Sequence, residues 1–460
     1  MSGRFGVLAM VSAMAAWAAT AGAQQQVNRK QTETLLADFP PAVYETTQVS
    51  PNARRVAYVL TDQGKQTVWL DGKPQETFDR VAALGFSPNS RWLAYAALRG
   101  GKWRVVVNGN QQPEYEAVGT PLFSPDSLKL AYVAKQADGK RVVVLNKKPS
   151  EPYDVISAGL LVFGPDSKQL VFGAVKDGQC YLVVDGLPQG PYEDLGTATG
   201  YPFSADGKHL AYVILKDKKL HVVRDGQLGP PSDDVGDVVF SPDGSQMASA
   251  AKEKGKWRVS IDGRSQPPYD AIGEGSLLFS PDGSRLAYTA RSGKQWMLVV
   301  DGKPGKPYDS IGQVLFSPDG RSLACKVRAA GTQMVVHDGR EGRIFNRVGD
   351  GTLVFSPNSQ RLAYVAMVSH KDSCVVVDEK RRHRYDFAGY LTFTPDNRAP
   401  VYAADNGKKA FTVVDEGEAV RQYDGIWNVR GEKLIFDSPK KFHYLGVREG
   451  KIYLVEEETE

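Results

Sequence analysis

The stretch Phe279-Ser280-Pro281-Asp282-Gly283, continued by Leu286-Ala287-Tyr288, Val299-Val300-Asp301-Gly302 and Tyr308-Asp309, decides the reading of this chain because it recurs. Aligned on its phenylalanine, the anchors are Val49, Phe86, Phe123, Phe163, Phe203, Phe240, Phe279, Phe316, Phe355, Phe393 and Trp427. That is eleven copies spaced by (427 − 49)/10, about 38 residues. The last copy is degenerate: Leu434 stands seven residues after Trp427, as Leu286 does after Phe279, and Glu449-Gly450 takes the place of Asp301-Gly302. A 460-residue length would ordinarily suggest about three domains; repetition at this period replaces them with small units that cannot stand alone.

Each copy reads as four short strands. The first ends at the anchor, and Ser-Pro-Asp-Gly turns the chain, with proline presetting φ and glycine closing the turn. Leu-Ala-Tyr begins the second strand, and a turn such as Gly255-Lys256 leads into the third, residues 257–261. Asp262-Gly263 is a two-residue hairpin signal, because both central residues must take φ > 0, and the fourth strand ends at Tyr269-Asp270. Runs such as Leu182-Val183-Val184 and Val375-Val376-Val377 are apolar without alternation, which implies burial on both faces. Four-stranded units stacked face to face predict an all-β chain, a β-propeller of about eleven blades. Closed propellers typically hold four to eight blades, so two rings of five and six are expected, the alternative being one unusually large ring. The border is placed near residue 235, beside Ser232, where the usual tyrosine is missing. Tyr44-Glu45, within residues 24–48, reads as a lone outer strand that would close a ring by pairing the chain's ends.

The F-S-P-D-G-x-x-L-A-Y pattern resembles the WD40-like, PD40 or TolB-type propeller repeat, and the resemblance covers residues 49–460. TolB carries an α/β domain ahead of its blades, whereas here residues 24–48 alone are expected before the first anchor. The resemblance implies a fold and leaves the function open.

Arg4, the apolar run from Phe5 to about Ala19, and the small residues Ala21-Gly22-Ala23 predict a cleaved signal peptide, residues 1–23, with a mature start at Gln24. Gln24 in place of a cysteine gives no lipoprotein signal, and nothing later approaches about 18 consecutive apolar residues. The expected product is periplasmic or extracellular and not membrane-spanning after cleavage. Cys180, Cys325 and Cys374 lie in apolar strand contexts in different repeats and read as buried thiols. Composition supports a folded chain, at 42% hydrophobic and 24% charged residues, with 46 glycines and 27 prolines to make its turns. Fifty-seven basic against 53 acidic residues leave no dense positive footprint, so no nucleic-acid partner is expected.

From the anchor to the Tyr position the spacing is 29 or 30 in every internal copy, whereas from there to the next anchor it runs 8, 8, 10, 11, 8, 10, 8, 10 and 8. Variation therefore gathers in the blade-to-blade loops, which share a face with the turns between second and third strands. Loops on a rigid scaffold are where binding is usually placed. That face carries Gly273-Glu274-Gly275, Gly349-Asp350-Gly351 and Gly196-Thr197-Ala198-Thr199, with Lys102-Trp103, Lys256-Trp257 and Lys294-Gln295-Trp296. Trp103, Trp257, Trp296, Lys102, Lys256, Glu274 and Asp350 are thus the expected binding residues. The tryptophans also share parity with the apolar residues two and four positions on, which places them against a neighbouring blade. Arg381 and Arg382, within Lys380-Arg381-Arg382-His383-Arg384, form either a solvated hairpin or an anion-binding patch.

No Gly-x-Ser-x-Gly elbow, phosphate loop or His-Glu-x-x-His is present, and the six histidines have no ligand spacing, so no catalytic residue, metal or cofactor is expected. A prolyl-oligopeptidase-type hydrolase domain has no room in the 33 residues after Trp427, and the sialidase box is absent. The recurrent Asp (Asp126, Asp166, Asp206, Asp243, Asp282, Asp319, Asp396) is a turn residue, replaced by Asn at Asn52, Asn89 and Asn358. The expected function is non-enzymatic binding of a protein or envelope glycan. The alternative is an enzyme or ligand sensor at the channel mouth, drawing on Asp233, Asp234, Glu274 and Asp350.

Overall fold

A computed structural model describes residues 29–196, 203–369, 371–427 and 434–459. The expected signal peptide, residues 1–23, lies outside them. Eleven antiparallel sheets follow one another along the chain. In order they are blades 1 (48–78), 2 (80–111), 3 (117–149), 4 (155–192), 5 (194–228), 6 (234–265), 7 (271–308), 8 (310–341), 9 (347–385) and 10 (387–418), with blade 11 (425–459) completed by residues 29–38.

The local reasons are those of the repeat. Ser280 Oγ donates to Asp282 Oδ1 (2.5 Å) and accepts from Arg285 N (3.0 Å), while Ser284 N donates to the same carboxylate (3.1 Å), closing the turn on its own side chains. The Asp-Gly hairpin has φ of 46° at Asp262 and 79° at Gly263. Its aspartate does a second job: Asp262 Oδ1 accepts from Met247 N (3.0 Å), tying the hairpin to the start of the second strand, as Asp301 does with Leu286 N (3.0 Å). Second strands such as Leu93–Arg99 are buried on both faces over most of their length, because each blade is covered on both sides.

Neighbouring blades are joined by a repeated aromatic contact. The second-strand aromatic at the Leu-Ala-Tyr position, a tyrosine in all but Phe172, meets the aromatic residue after the preceding blade's third strand at eight interfaces. The pairs are Phe78–Tyr95, Tyr115–Tyr132, Tyr153–Phe172, Tyr192–Tyr212, Tyr269–Tyr288, Phe345–Tyr364, Tyr385–Tyr402 and Tyr423–Tyr444, with centroids 5.8 to 6.4 Å apart and mostly edge-on. Such pairs add to what their buried area contributes.

These interfaces settle the ring count against the two-ring expectation. Apolar clusters join every blade to the next, from 1/2 to 10/11, and a further cluster joins blade 11 to blade 1 through Leu445, Ile452, Val56 and Tyr58. Among the described residues none joins blade 5 to 1 or 11 to 6, as two rings would require. The molecule is one eleven-bladed ring, with no border near residue 235. Each step turns by 360°/11, about 33°. Sheets ~10 Å apart at that angle put their midlines roughly 17 Å from the axis, so the centre is open and not a closed pocket.

Closure comes from a different segment than Tyr44-Glu45, which lies in the 3-10 turn Pro41–Thr46. Arg29–Asp38 pairs antiparallel with Lys451–Thr459 as the outermost strand of blade 11. The last repeat is also shifted from its expected register. Phe436 pairs with Phe442 as Phe279 pairs with Leu286, so Phe436 is the anchor and Trp427 belongs to an earlier part of the same interrupted inner strand. Glu449-Gly450 turns from the second to the third strand, since Arg448 pairs with Lys451. The sequence spacing misleads here because Tyr423 to Phe436 is 13 residues and the turn has become Asp437-Ser438-Pro439-Lys440.

Blade 11's added strand is held by buried charge as well as by its ladder. Arg29 donates to Glu457 Oε2 (3.0 Å), Thr412 O (3.1 Å) and Gly417 O (2.9 Å). Glu457 Oε1 accepts from Gln31 (2.9 Å), Thr412 (2.5 Å) and Tyr444 (2.7 Å). On the other flank of the blade, Arg54 of blade 1 reaches Asp437 and Glu456, and His443 contacts Asn52 O (2.8 Å).

Candidate functional site

The variable face is less free than its sequence suggests, because much of its charge is used to fasten blade to blade. At five blade junctions the aspartate just after the outer strand accepts from the lysine that opens its own third strand and from a backbone N–H of the next blade. Asp270 takes Lys256 Nζ (2.5 Å) and Gly293 N (2.6 Å); Asp233 takes Lys219 (2.5 Å) and Lys254 N (2.9 Å). Asp79 with Lys65 and Gly100 N, Asp154 with Lys140 and Asp177 N, and Asp424 with Lys409 and Glu449 N repeat the arrangement. Hydrogen bonding from these lysines, first of all, holds each of the five carboxyls below the usual aspartate range. Lys256 is therefore committed, and Lys102 is paired with Glu116 (2.5 Å). A Lys with an Asp or Glu fourteen residues on recurs in five blades, from Lys65 and Asp79 to Lys256 and Asp270, and Lys409 with Asp424 repeats it at fifteen.

Other expected residues are likewise tied down. Asp350 is paired with Lys326 and with Arg347 (2.7 Å), and hydrogen bonds from Lys326, then Arg347, lower its pKa. Arg382 pairs with Glu416, Arg384 with Asp372, and the Arg381 guanidinium lies 4.9 Å from the centroid of Phe345. Two cations of the basic hairpin, Arg382 and Arg384, are thus ion-paired within the protein. Trp103 is half-buried beside Tyr115, whose strand it pairs with, and Trp296 lies 5.9 Å from the Arg291 guanidinium. Residues 197–199 of the Gly196 loop lie outside the described residues.

Two expected residues, Trp257 and Glu274, come together. They line a cleft of about 350 Å³ between blades 6 and 7 with Asp234, Gly236 and Asp237. Trp257 packs its ring on the apolar cluster of that interface, and a Cβ built on Gly236 would stand 3.3 Å from it, so the tryptophan lies directly on the inner strand of blade 6. Glu274 stands on a loop held from beneath. Asp237, only 3% exposed, accepts from Gly275 N (2.9 Å), Ser276 N (2.9 Å) and Leu277 N (3.3 Å). Gly275 has φ of +66°, a conformation that glycine takes without strain. Gln313 plays the same part for the loop of blade 9 through Leu353. Sequence reading missed Asp237 and Gln313, which share the position three before the anchor.

The cleft is rigid, aromatic on one wall and acidic at its rim, which suits recognition of a cation. Of the four carboxylates expected at a channel mouth, Asp233 and Asp350 are in separate ion pairs, whereas Asp234 and Glu274 share the cleft with Asp237. His209, His221 and His443 have turn or seam partners, and among the described residues no three His, Cys, Asp or Glu side chains are grouped as a metal ion requires. The three cysteines are free thiols; burial pushes Cys325 up to about 12.

No known protein family and no curated protein matches the chain. Among solved structures it is similar to a eukaryotic initiation factor at 16% identity, covering 83% of this chain and 98% of that one, with a TM-score of 0.42. It is also similar to TolB from Acinetobacter baumannii (17%; 56% and 77% covered; TM-score 0.26). The β-propeller domain of the trilobed protease from Pyrococcus furiosus is a third (16%; 57% and 97%; TM-score 0.28). The class of the protein, a single-ring β-propeller closed by its N-terminal strand, rests on its own sheets and interfaces. Among the described residues no helix is long and apolar enough to cross a membrane.

Proposed function

We propose that this is an exported, non-enzymatic propeller that binds a protein partner through its blade-to-blade-loop face, with the cleft between blades 6 and 7 as the point of contact. One observation carries the reading: Trp257, Asp234 and Glu274 line a single cleft whose loop is fixed by Asp237. The chemistry fits a lysine or arginine of the partner, its charge over the indole face and between two carboxylates. Export is supported by Arg4, the apolar run after it, and Ala21-Gly22-Ala23.

The test is capture from the native cell envelope with wild-type bait and with W257A/E274A bait. A partner retained by the wild type and lost by about tenfold or more on the variant is expected. Equal capture by both, or turnover of an envelope glycan with no captured protein, would overturn the proposal. N-terminal sequencing of the exported protein should begin at Gln24; a cytoplasmic protein that keeps residues 1–23 would refute export.

A further inference from the structure

The aromatic pair that joins neighbouring blades is missing between blades 5 and 6. Ser232 occupies the position of Tyr269, since it bridges Leu220 as Tyr269 bridges Trp257. Ser249 occupies that of Tyr288, pairing with Ser260 where Tyr288 pairs with Val299. A cleft of about 330 Å³ opens there, and both serines line it. Between blades 7 and 8 the second-strand aromatic is likewise absent. Cys325 stands where the second-strand tyrosine belongs, and a cleft lined by Cys325 and Tyr308 opens beside it.

The 5/6 cleft has chemistry to match its shape. Ser232 and Ser249 are 5% and 8% exposed and form its buried end, with Ser249 Oγ 3.1 Å from Ser260 Oγ. The Ser232 hydroxyl has no hydrogen-bond partner among the described residues. Met247 and Val222 give it apolar wall, and Leu228, 47% exposed, forms a lip. The opening faces the rim of the ring, between the short outer strands Gln227–Leu228 and Arg264–Ser265, whose outward edges have no neighbouring strand. An extended segment of another protein could lie along such an edge through main-chain hydrogen bonds.

We propose that this cleft is a socket for a tyrosine side chain of a partner protein, which supplies the ring that blades 5 and 6 lack and donates its hydroxyl to the serines. The site is separate from the cleft between blades 6 and 7, and neither proposal depends on the other. The test uses N-acetyl-tyrosinamide, with N-acetyl-leucinamide as control, titrated into the full protein carrying labelled methionine methyls. The Met247 resonance should shift saturably with the tyrosine compound, with Met367 unmoved. S249Y, which refills the space from within, should weaken binding by about tenfold or more. S249A keeps the space and removes one hydroxyl, giving a smaller loss, and reads the same point should S249Y fail to fold. W257A should leave this titration unchanged while abolishing capture through the other cleft. Absence of a saturable Met247 shift, equal response to the leucine compound, or undiminished binding by folded S249Y would overturn the socket.

Discussion

Replacing Arg29 by alanine should open the ring at its seam. The guanidinium and its partner Glu457 are 2% and 0% exposed, and Arg29 also satisfies two carbonyls of blade 10, those of Thr412 and Gly417. Removing it leaves a carboxylate in the interior with neutral donors only, and breaking a buried pair in this way costs about 3–5 kcal/mol. The span from Arg29 to Thr459 is 431 residues. At ~2.1 cal/mol/K per residue its unfolding entropy is about 0.9 kcal/mol/K, so the melting temperature should fall by about 3–6 °C. Hydrogen exchange should rise first in residues 29–38 and 451–459, before the blades on the far side of the ring. The double variant R29M/E457M removes both charges and should recover most of the loss, because an apolar pair of similar volume replaces a buried ion pair at little cost. A melting temperature for R29A within 1 °C of the wild type, or a double variant no better than the single one, would refute this account of closure.

Four further outcomes follow from the same contacts. Asp79, Asp154, Asp233 and Asp270 titrate below their ordinary value of 3.8, each lowered chiefly by its lysine. A depressed folded value gives stability that is complete above the unfolded one and lost as pH falls through the folded one, so the melting temperature should hold down to about pH 5 and drop below about pH 4. The variant D79N/D154N/D233N/D270N should show a shallower acid decline; an identical pH profile would count against the lysine–aspartate fasteners. Tyr288 buries a hydroxyl that has no hydrogen-bond partner among the described residues, so Y288F should be neutral or stabilising by up to about 1 kcal/mol, whereas Y288A should cost about 3–5 kcal/mol, both read by chemical denaturation. Lys147 holds φ of 72° where most Asp-Gly hairpins have glycine, and K147G should stabilise by about 0.5–1 kcal/mol in the same assay. G236A places a methyl 3.3 Å from Trp257 and should shift the tryptophan emission and weaken partner capture without altering the melting temperature by more than about 1 °C.

Much of the blade was legible because its signals are local. Ser-Pro-Asp-Gly, Asp-Gly and the unbroken valine runs each act within a few residues, and all three behave as read. The fasteners were half visible: Tyr-Asp and Gly-Lys recur, but their meeting needs a hairpin to bring positions fourteen apart together. The last blade was misread because an insertion moved its anchor from Trp427 to Phe436, and spacing alone cannot distinguish a shifted copy from a worn one. Ser232 shows the limit most clearly. In the sequence its missing tyrosine suggests a border between rings, yet what it marks is an interface where a second serine, Ser249, faces it.

The repeating sheet, the turns that make it and the face on which its loops vary are legible from the chain alone, because those depend on neighbours along it. How many blades share one ring is a tertiary matter, since most interfaces use much the same aromatic, valine and alanine chemistry and would accept a like neighbour. Ring size is selected only where the ends meet, by Arg29–Asp38 docking on blade 11 and by Arg29 finding Glu457 across more than four hundred residues. The clefts belong to the same order of fact: each is made by side chains of two blades, and the open space appears only when both are in place.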